Sequence, residues 1–399
     1  MDGHGTDGGP VVRFPGDGAA RRLAGLGILS SGLFLGGCET DATGHPNDMA
    51  GDPADGHSYR VVEVVDGLEH PWGAAFLPGG DVLVTEKPGR LRWVREGTLQ
   101  EEPVDGTPQV EAVGQGGLLD VALHPDFESN GLVYLSYSKG VDGGITTAVA
   151  RGRWEDGALR DTEDILVADA TASGGRHFGS RLLFDQEGLL YVTVGDRGLQ
   201  DPAQDRTNHI GSTVRIHDDG SVPTDNPFLE DPDALDEIFT YGNRNAQGMA
   251  LHPETGDVWQ NEHGPRGGDE LNRMEAGGNY GWPEFSFGDH YDGRSIPDPT
   301  PDSGTVPPVL HWTPAIAPSG LAFYTGDRFP EWRGDAFNGG LVGRQIRRVV
   351  LEEGEAVGEE VLLEDYGSRI RAIVDGPDGY LYFLTDSSNG VLGRLEPEG

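Results

Sequence analysis

The sequence predicts an all-β protein, a six-bladed β-propeller with long loops at one mouth of its channel. Glycine and proline are abundant, 64 and 27 among 399 residues, and long apolar helical stretches are missing, which favours many short strands joined by turns. From Tyr59 onward one pattern recurs six times: a small residue with an apolar pair, a Pro/Asp/Gly turn, and a short apolar strand. The copies lie roughly 47 to 72 residues apart, the scale of a four-stranded blade with insertions.

Each copy predicts two strands joined by a tight turn, because turn-forming residues occupy the point where the chain must reverse. The copies are WGAAFLPGGDVLVTE, GLLDVALHPDFESNGLVYLSYS, SRLLFDQEGLLYVTVGD, QGMALHPETGDVWQNE, SGLAFYTGDRFPEWRGDAFNGGL and RAIVDGPDGYLYFLTD. The insertions after the third and fourth copies are the longest and hold nearly all the unusual residues. We therefore expect the chemistry at the mouth where such loops gather. No GxGxxG follows a strand, which argues against a Rossmann domain.

The net charge of the chain limits the classes of partner that it can bind. The chain has 67 acidic and 29 basic residues, a formal charge of −38, and only Lys87 and Lys139 are lysines. So acidic a chain repels nucleic acid and anionic membrane surfaces. Salt at about 1 M shortens the Debye length to about 3 Å and screens the self-repulsion of the fold. We interpret the composition as halophilic, with an ordinary acidic soluble enzyme as the alternative.

The N-terminus is typical of an export signal. A twin arginine at 21–22 precedes LAGLGILSSGLFLGG, which is apolar but too short to span a bilayer and ends at Cys38, the only cysteine. We interpret residues 1–38 as a twin-arginine signal with a lipoprotein box, so that a lipid on the cysteine anchors the exported protein on the outer face of the cell membrane. The alternative is a buried helix with an incidental thiol. Residues 39–58 are acidic and rich in Pro and Gly, typical of a flexible linker, and 59–399 are predicted to form the propeller domain.

Five segments carry the candidate functional residues. They are VGQGGLLD with Gln115, GGRHFGSRL with His177, GNRNAQG with Arg244 and Asn245, EHGPRGGDELNRMEAGGNYGWP with Gly264, Pro265, Asp269, Glu270 and Tyr280, and SRIRAI with Arg369 and Arg371. Each segment by itself has a purely structural interpretation. His177 could be a hydrogen-bonded structural histidine, the paired arginines could bind surface acids, and GGNYGWP could be a turn with an aromatic plug.

Together the segments indicate one site for a metal and a planar polyanionic ligand. Gly264 and Pro265 mark an irregular loop whose carbonyl oxygens lie beside carboxylates, and these are the ligands that calcium prefers. Arginine binds carboxylates through two parallel hydrogen bonds and stays charged. Arg369 and Arg371 alternate, so on a strand both side chains face the same side. A single cofactor that needs both calcium and arginines explains why these residue types occur together.

These segments resemble the soluble pyrroloquinoline-quinone-dependent glucose/sorbosone dehydrogenase family, especially its aldose sugar dehydrogenase branch. The resemblance covers roughly residues 60 to 397 and is most specific in YGNRNAQGMALHPETGDVWQNEHGPRGGDELN followed by GGNYGWP. It implies a six-bladed propeller, in agreement with the repeat count. It also implies that His177 is the catalytic base.

The resemblance further implies two sets of ligand-binding residues. Pyrroloquinoline quinone (PQQ) would be held by Gln115, Arg244, Asn245, Arg369 and Arg371, together with Tyr291 in the aldose branch. The carbonyls of Gly264 and Pro265 would bind a catalytic calcium ion, and Glu270 and Tyr280 would belong to a structural calcium site. Two positions depart from soluble glucose dehydrogenase proper: Val342 replaces a lysine, for which Arg344 could compensate, and Arg176 replaces an acid. Both departures favour the broader aldose branch.

The predicted function is PQQ-dependent oxidation of aldose sugars at C1 to aldonolactones. His177 would accept the hydroxyl proton, and the hydride would pass to the quinone carbonyl, polarised by calcium and by Arg244. The expected partners are an aldose and an external electron acceptor, with a membrane contacted only through the lipid anchor and no nucleic acid. Two alternatives stay open: a calcium-dependent lactonase, which needs the metal but not the arginines, and a non-catalytic binding propeller.

Overall fold

A computed structural model describes residues 58–398. The predicted signal with Cys38 and nearly all of the predicted linker lie outside the described residues. In chain order the first strands are β1 (Tyr59–Leu68), β2 (Pro71–Phe76), β3 (Val82–Glu86), β4 (Arg90–Arg95), β5 (Thr98–Leu99), β6 (Leu118–Leu123), β7 (Leu132–Val141), β8 (Gly144–Glu155), β9 (Ala158–Val167), β10 (Leu182–Phe184), β11 (Leu190–Val194), β12 (Ser212–Ile216) and β13 (Ile238–Thr240). The others are β14 (Ala246–Leu251), β15 (Val258–Glu262), β16 (Arg266–Gly267), β17 (Asp269–Arg273), β18 (Gly288–Asp289), β19 (Leu310–Trp312), β20 (Pro318–Phe323), β21 (Ala336–Gly340), β22 (Ile346–Glu352), β23 (Glu355–Leu362), β24 (Ile370–Asp375), β25 (Leu381–Thr385) and β26 (Gly390–Pro397).

Helices are short in this part of the chain. An α-helix spans Phe127–Asn130, and 3₁₀ turns span Asp201–Gln204, Pro330–Trp332 and Glu364–Tyr366. None of the described helices is long and apolar enough to cross a membrane.

The strands form six four-stranded antiparallel sheets. Their orders are β2-β3-β4-β5, β6-β7-β8-β9, β10-β11-β12-β13, β14-β15-β17-β19, β20-β21-β22-β23 and β24-β25-β26-β1, and β16 pairs with β18 in a separate ribbon. Each predicted copy of the repeat supplies the first two strands of one sheet, which confirms the repeat count.

The sheets close into a ring through their first strands. β2 contacts β6, β6 contacts β10, and the sequence of contacts continues through β14, β20 and β24 back to β2. The predicted six-bladed propeller is therefore confirmed. The sixth sheet is completed by β1, which pairs with β26 from Tyr59 opposite Pro397 to Leu68 opposite Gly390, so the two ends of the propeller domain are joined in one sheet.

Apolar side chains fill the space between neighbouring sheets. Between the first and second sheets, for example, Leu83 and Leu91 pack with Val121, Val133 and Leu135. Equivalent clusters of described residues occupy the other five interfaces. Because every blade is packed on both faces, the ring holds its first strands in fixed positions around the axis.

In five of the six sheets, the pairing between the first and second strands is irregular, and this irregularity directs side chains toward the axis of the ring. Register shifts occur in β2, β6, β14, β20 and β24. A bulge leaves an extra residue that can be re-aimed. Gln247 is the extra residue in β14 and Arg371 is the extra residue in β24, and both line the central cavity described below. The regular alternation that we predicted for Arg369 and Arg371 is thus wrong, because a bulge lies at Arg371.

Candidate active site

A cavity of about 370 Å³ opens at the centre of the ring, a volume within the usual range of small-molecule sites. All six sheets contribute to it, through the loops that precede the first strands and follow the second strands. The prediction that the insertions after the third and fourth copies hold nearly all the unusual residues is only partly correct. These insertions supply Arg244, Asn245, His263 to Pro265, Asp269 and Tyr291, but Gln115, His177, Arg369 and Arg371 come from other parts of the ring.

The charge of this cavity is opposite to that of the chain. The lining includes four basic side chains, Lys87, Arg244, Arg369 and Arg371, and only two acidic ones, Asp269 and Asp386. In a chain with 67 acids and 29 bases, this arrangement favours an anionic guest.

His177 lies at the cavity in a hydrogen-bonded pair with Asp196. Its Nδ1 is 2.6 Å from Asp196 Oδ1, so Nε2 is the ring nitrogen available to a ligand. The backbone of His177 has a φ of +52°, an uncommon conformation that often marks functional residues. A Cβ at Gly195 would lie 2.1 Å from the His177 carbonyl oxygen. Only glycine at this position therefore lets the chain that follows β11 lie so close to the loop that carries His177.

Burial lowers the pKa of His177 below its usual value. The hydrogen bond that His177 donates to Asp196 opposes that shift, and the charge of Arg244 adds to it. The imidazole is therefore neutral near pH 7 and can accept a proton. Hydrogen bonds to His177 and to the Gly198 amide outweigh burial and lower the pKa of Asp196, which keeps that carboxylate charged beside the imidazole.

Arg244 is a buried cation without a carboxylate partner. Its side chain is 6% exposed, Nη1 donates to the His263 carbonyl at 3.1 Å, and Nη2 is 3.4 Å from the Tyr291 hydroxyl. Within residues 58–398 it makes no ion pair, and its buried Nε has no hydrogen-bond partner. A buried, unpaired guanidinium is costly unless an anion compensates it.

Arg369 and Arg371 share one carboxylate. Asp386 Oδ2 lies 3.3 Å from Arg369 Nε and 3.0 Å from Arg371 Nη2, and Oδ1 lies 3.0 Å from His70 Nδ1. The predicted orientation of both arginines toward one place is therefore confirmed despite the bulge. Although burial opposes it, the neighbouring arginines and His70 hold the pKa of Asp386 far below its usual value.

Gly264 and Pro265 carry buried carbonyl groups that accept no hydrogen bond from any residue in the described range. The loop is held by Asp269, whose Oδ1 accepts from the Gly264 amide at 2.9 Å and whose Oδ2 accepts from the Ile316 and Ala317 amides at 2.7 Å. Unpaired buried carbonyl oxygens beside a carboxylate fit a calcium ion. The Asp269 oxygens themselves are occupied by these amides.

Glu270 and Tyr280 line a second, much smaller cavity next to the first, together with Glu262. Its volume of about 10 Å³ is close to that of a single water-sized guest. Glu262 and Glu270 face each other across the β15–β17 pair. Burial raises the pKa of Glu262 to about 7 and that of Glu270 well above its usual value, the latter also because of the Glu262 charge. Two adjacent buried carboxyl groups fit a cation.

Tyr280 could contribute only its backbone carbonyl to such a cation. Its hydroxyl donates to the Arg273 carbonyl at 2.8 Å and accepts from the Glu275 amide at 2.9 Å. No group of three or more His, Cys, Asp or Glu side chains arranged for a metal occurs among residues 58–398, so any cation here would depend on carbonyl oxygens as well.

Comparison with known proteins decides the family. Residues 68–394 match the family model described as glucose/sorbosone dehydrogenase. The chain belongs to the glucose/sorbosone dehydrogenase family. Aldose sugar dehydrogenase YliI of Escherichia coli strain K12 is 44% identical over 344 residues, which cover 84% of this chain and 92% of the relative. The predicted family is thereby confirmed.

Solved structures of the same family agree with the fold. The apo form of the soluble aldose sugar dehydrogenase from Escherichia coli matches with a TM-score of 0.82 and 42% identity, covering 86% of this chain and all of that chain. The PQQ-bound aldose sugar dehydrogenase of Streptomyces coelicolor matches with a TM-score of 0.72 and 28% identity, covering 86% of this chain and all of that chain.

Most of the residues that the family resemblance selected lie together. The central cavity is lined by Gln115, His177, Arg244, Asn245, Gly264, Pro265, Tyr291, Arg369 and Arg371, whereas Glu270 and Tyr280 line only the small cavity. Gln115 Oε1 accepts from the His177 amide at 2.6 Å. Asn245 Oδ1 accepts from the Gly179 amide at 3.2 Å. Tyr291 is 74% exposed at the rim.

The two departures from soluble glucose dehydrogenase have different outcomes. Val342 lines the cavity and is 64% exposed. Arg344 does not line the cavity, and its Nη1 donates to the Gly367 carbonyl at 3.3 Å, so the structure does not support its compensating for the lysine. Arg176 lies close enough to His177 for its charge to lower the pKa of the imidazole.

Sequence reasoning missed a set of acids at the ends of the second strands, three of which hold residues of the site. Four copies of the repeat end in an acid at the last residue of the second strand or within two residues after it: Glu86, Asp196, Glu262 and Asp386. Glu86 binds Arg90 and Arg92, Asp196 binds His177, Glu262 accepts from the Arg244 amide, and Asp386 binds Arg369 and Arg371. The recurring terminal acid was the available signal. Trp282, which donates to Asp196, had no such signal.

Proposed function

We propose that this protein oxidises aldose sugars at C1 to aldonolactones, with PQQ as the electron acceptor and calcium as its metal partner. The observation that carries the proposal is the buried Arg244 guanidinium, which has no ion pair within residues 58–398 and lines the same cavity as the His177–Asp196 pair. A bound anion would compensate this charge. The family relatives named aldose sugar dehydrogenase support the assignment of substrate class.

The residues present fit both groups. Arg244, Arg369 and Arg371 would bind the carboxylates of PQQ, with Gln115, Asn245 and Tyr291 around it, because guanidinium groups match planar carboxylates. The carbonyls of Gly264 and Pro265 would bind calcium. The chemistry that these groups supply when bound is hydride acceptance by the quinone, with calcium as the Lewis acid.

His177 supplies the proton chemistry. Oxidation at C1 removes a hydroxyl proton and a hydride, and the proton passes to Nε2 because Nδ1 is held by Asp196. The carboxylate stabilises the imidazolium that forms. Arg244 provides positive charge beside the oxygen that becomes negative as its proton leaves. The carbon–oxygen double bond of the lactone then forms from the electron pair left on that oxygen.

Reconstitution tests the proposal. Purified protein stripped with a chelator should reduce a dye acceptor only when PQQ, calcium and an aldose are all present, and the product should react as a lactone with hydroxylamine. The same preparation should be assayed for hydrolysis of aldonolactones. Lactone hydrolysis that needs calcium but not PQQ would establish the lactonase alternative, and sugar binding without either reaction would establish the binding propeller.

A further inference from the structure

Trp282 lies between the two groups that the proposed reaction depends on. Its indole Nε1–H donates to Asp196 Oδ2 at 2.8 Å, and the Arg244 guanidinium carbon is 5.2 Å from the centre of its ring. The side chain is 5% exposed. One indole therefore contacts the partner of His177 through its edge and Arg244 through its ring system.

Asp196 uses both of its carboxylate oxygens. Oδ1 accepts from the Gly198 amide at 2.7 Å and binds His177 Nδ1 at 2.6 Å. Oδ2 has the indole of Trp282 as its hydrogen-bond donor, and the carboxylate is completely buried. The indole is the donor that fixes Oδ2, and together with the Gly198 amide on Oδ1 it restrains rotation of the carboxylate, and with it a change in the direction of the imidazole.

The position of Trp282 is set by contacts other than Asp196. Its amide donates to the Gly242 carbonyl at 2.8 Å, and its carbonyl accepts from Gln204 Nε2 at 2.7 Å. The ring packs with Ala203 and Ile296 in a small buried cluster. Because the indole is held by its own surroundings, it can act as a fixed donor to Asp196.

We infer that Trp282 is a positioning residue, which holds Asp196 so that His177 keeps its Nδ1 proton and presents Nε2 to the cavity. This inference rests on the proposed role of His177 as the base. The charged and titratable groups that act on His177 are Asp196, Arg244, Arg176 and His263. Trp282 contacts two of these directly.

The test is Trp282→Phe, which keeps an aromatic ring beside Arg244 and removes the single N–H donor. Without the indole N–H, Asp196 accepts one hydrogen bond fewer and its negative charge is less dispersed. The carboxylate then stabilises the imidazolium of His177 more strongly, so the pKa of His177 rises. We expect kcat to fall about tenfold with little change in KM, and the acid limb of the kcat/KM profile to move up by about half a pH unit or more.

Trp93→Phe is the matched control. Trp93 Nε1 donates to Asp81 Oδ2 at 3.0 Å in the first sheet, outside the cavity, so this variant loses the same kind of hydrogen bond without touching the site. Its pH profile should equal that of the parent. A Trp282→Phe profile and kcat equal to those of Trp93→Phe would overturn the inference.

A measurement on the parent apo-protein separates this inference from the proposed function and needs no variant to fold. The chain has 7 tryptophans, so ¹⁵N-indole labelling gives few signals. The Trp282 indole proton, assigned through its nuclear Overhauser effects to neighbouring side chains, should shift as His177 titrates. If this shift is observed and His177→Ala keeps normal turnover, Trp282 does contact the Asp196–His177 pair, but His177 is not the catalytic base. An indole signal for Trp282 that is unaffected by the titration would overturn the positioning role.

Discussion

At the scale of single residues, the site combines a neutral histidine with a positive charge that has no carboxylate partner among the described residues. His177 is kept neutral by burial and oriented by Asp196. Arg244 lacks a carboxylate partner within the described chain, whereas Arg369 and Arg371 share Asp386. Removal of the base and removal of an arginine should therefore have different effects.

His177→Ala should leave the fold, calcium binding and PQQ binding nearly intact, because the arginines, and not His177, are proposed to bind the cofactor. Sugar oxidation should fall by ~10² to 10⁴-fold, the usual contribution of a positioned general base. Arg369→Ala should instead weaken PQQ affinity first. Turnover at saturating PQQ, with a thermal melt of each variant, measures both effects.

His209→Ala is the matched control for this pair. His209 is buried, accepts from the Asp169 amide at 2.8 Å and lies 3.1 Å from Glu237, outside the cavity. It should lose stability while the folded fraction keeps its turnover. If the His177→Ala protein is well folded, binds PQQ and keeps near-parental turnover, the proposed mechanism is wrong.

The same residue predicts the pH dependence in the parent. The pKa of His177 is lowered from 6.5 in the folded protein, so the base is neutral throughout the range above that value. We expect kcat/KM to fall on the acid side only below about pH 6.5. The folded protein also binds this proton less tightly than the unfolded chain, so His177 favours unfolding as the pH falls through about 6.5.

At the scale of elements, the β15–β17 pair brings two carboxyl groups together at its end. Glu262 and Glu270 are opposite each other across the two strands, and both have pKa values raised chiefly by burial. A carboxyl group whose pKa is raised on folding stabilises the fold below its unfolded pKa of about 4.5, and this stabilisation is lost as the pH rises through the folded value. For Glu262 that value is about 7.

Calcium should therefore matter most at alkaline pH. In chelator, the parent melting temperature should decrease between about pH 5 and pH 8, and calcium at pH 8 should raise it by about 5 °C or more. Glu270→Gln should melt higher than the parent in chelator at pH 8 and respond less to calcium. Asp375→Asn alters a partly buried carboxyl group elsewhere whose pKa is also raised, and it should keep the full calcium response. An undiminished response in Glu270→Gln would contradict a cation at this pair.

At the scale of the whole molecule, a ring of six blades carries a large excess of acid. A formal charge of −38 destabilises a compact state through self-repulsion unless salt screens it. The cavity mouth is the exception, with four basic and two acidic side chains in its lining.

We propose that the protein is halophilic and expect its melting temperature to fall as salt is withdrawn. Between about 1 M and about 0.01 M the Debye length grows from about 3 Å to about 30 Å, so the acids repel one another over longer distances. Thermal melts across a sodium chloride series measure the effect, and potassium chloride at equal ionic strength should act alike. A melting temperature that is flat across the series would rule out the halophilic interpretation.

We also propose that the chain is exported and lipid-anchored, on the twin arginine at 21–22 and the segment that ends at Cys38. Cys38→Ser should release the protein from the membrane fraction or block its maturation, because the thiol is the site of lipid attachment. Ser31→Ala, in the same segment, should leave fractionation unchanged. If Cys38→Ser fractionates with membranes as the parent does, the lipoprotein interpretation is wrong.

The sequence by itself determined the six repeats, because turn residues and short apolar strands are local signals that need no knowledge of distant contacts. It also identified the loop segments that line the cavity, because arginines, carboxylates and an irregular glycine-proline loop occur together in five segments, although each segment alone has a structural interpretation. Resemblance to the family then supplied roles for these residues, and most of them do lie in one cavity.

Only the tertiary structure decided which residues meet. Asp196 and Trp282 are 86 positions apart, Arg371 and Gln247 are 124 apart, and β1 pairs with the last strand of the chain. The alternation of side chains along a strand correctly predicted that Arg369 and Arg371 point to the same side. It did not predict the bulge that directs Arg371 toward the axis of the ring. Such contacts follow from how six packed sheets close into a ring, and closure depends on the whole chain. For that reason the recurring acid at the end of the second strand could be noticed in the sequence, but its partners, His177 for Asp196 and the two arginines for Asp386, could be recognised only in the folded molecule.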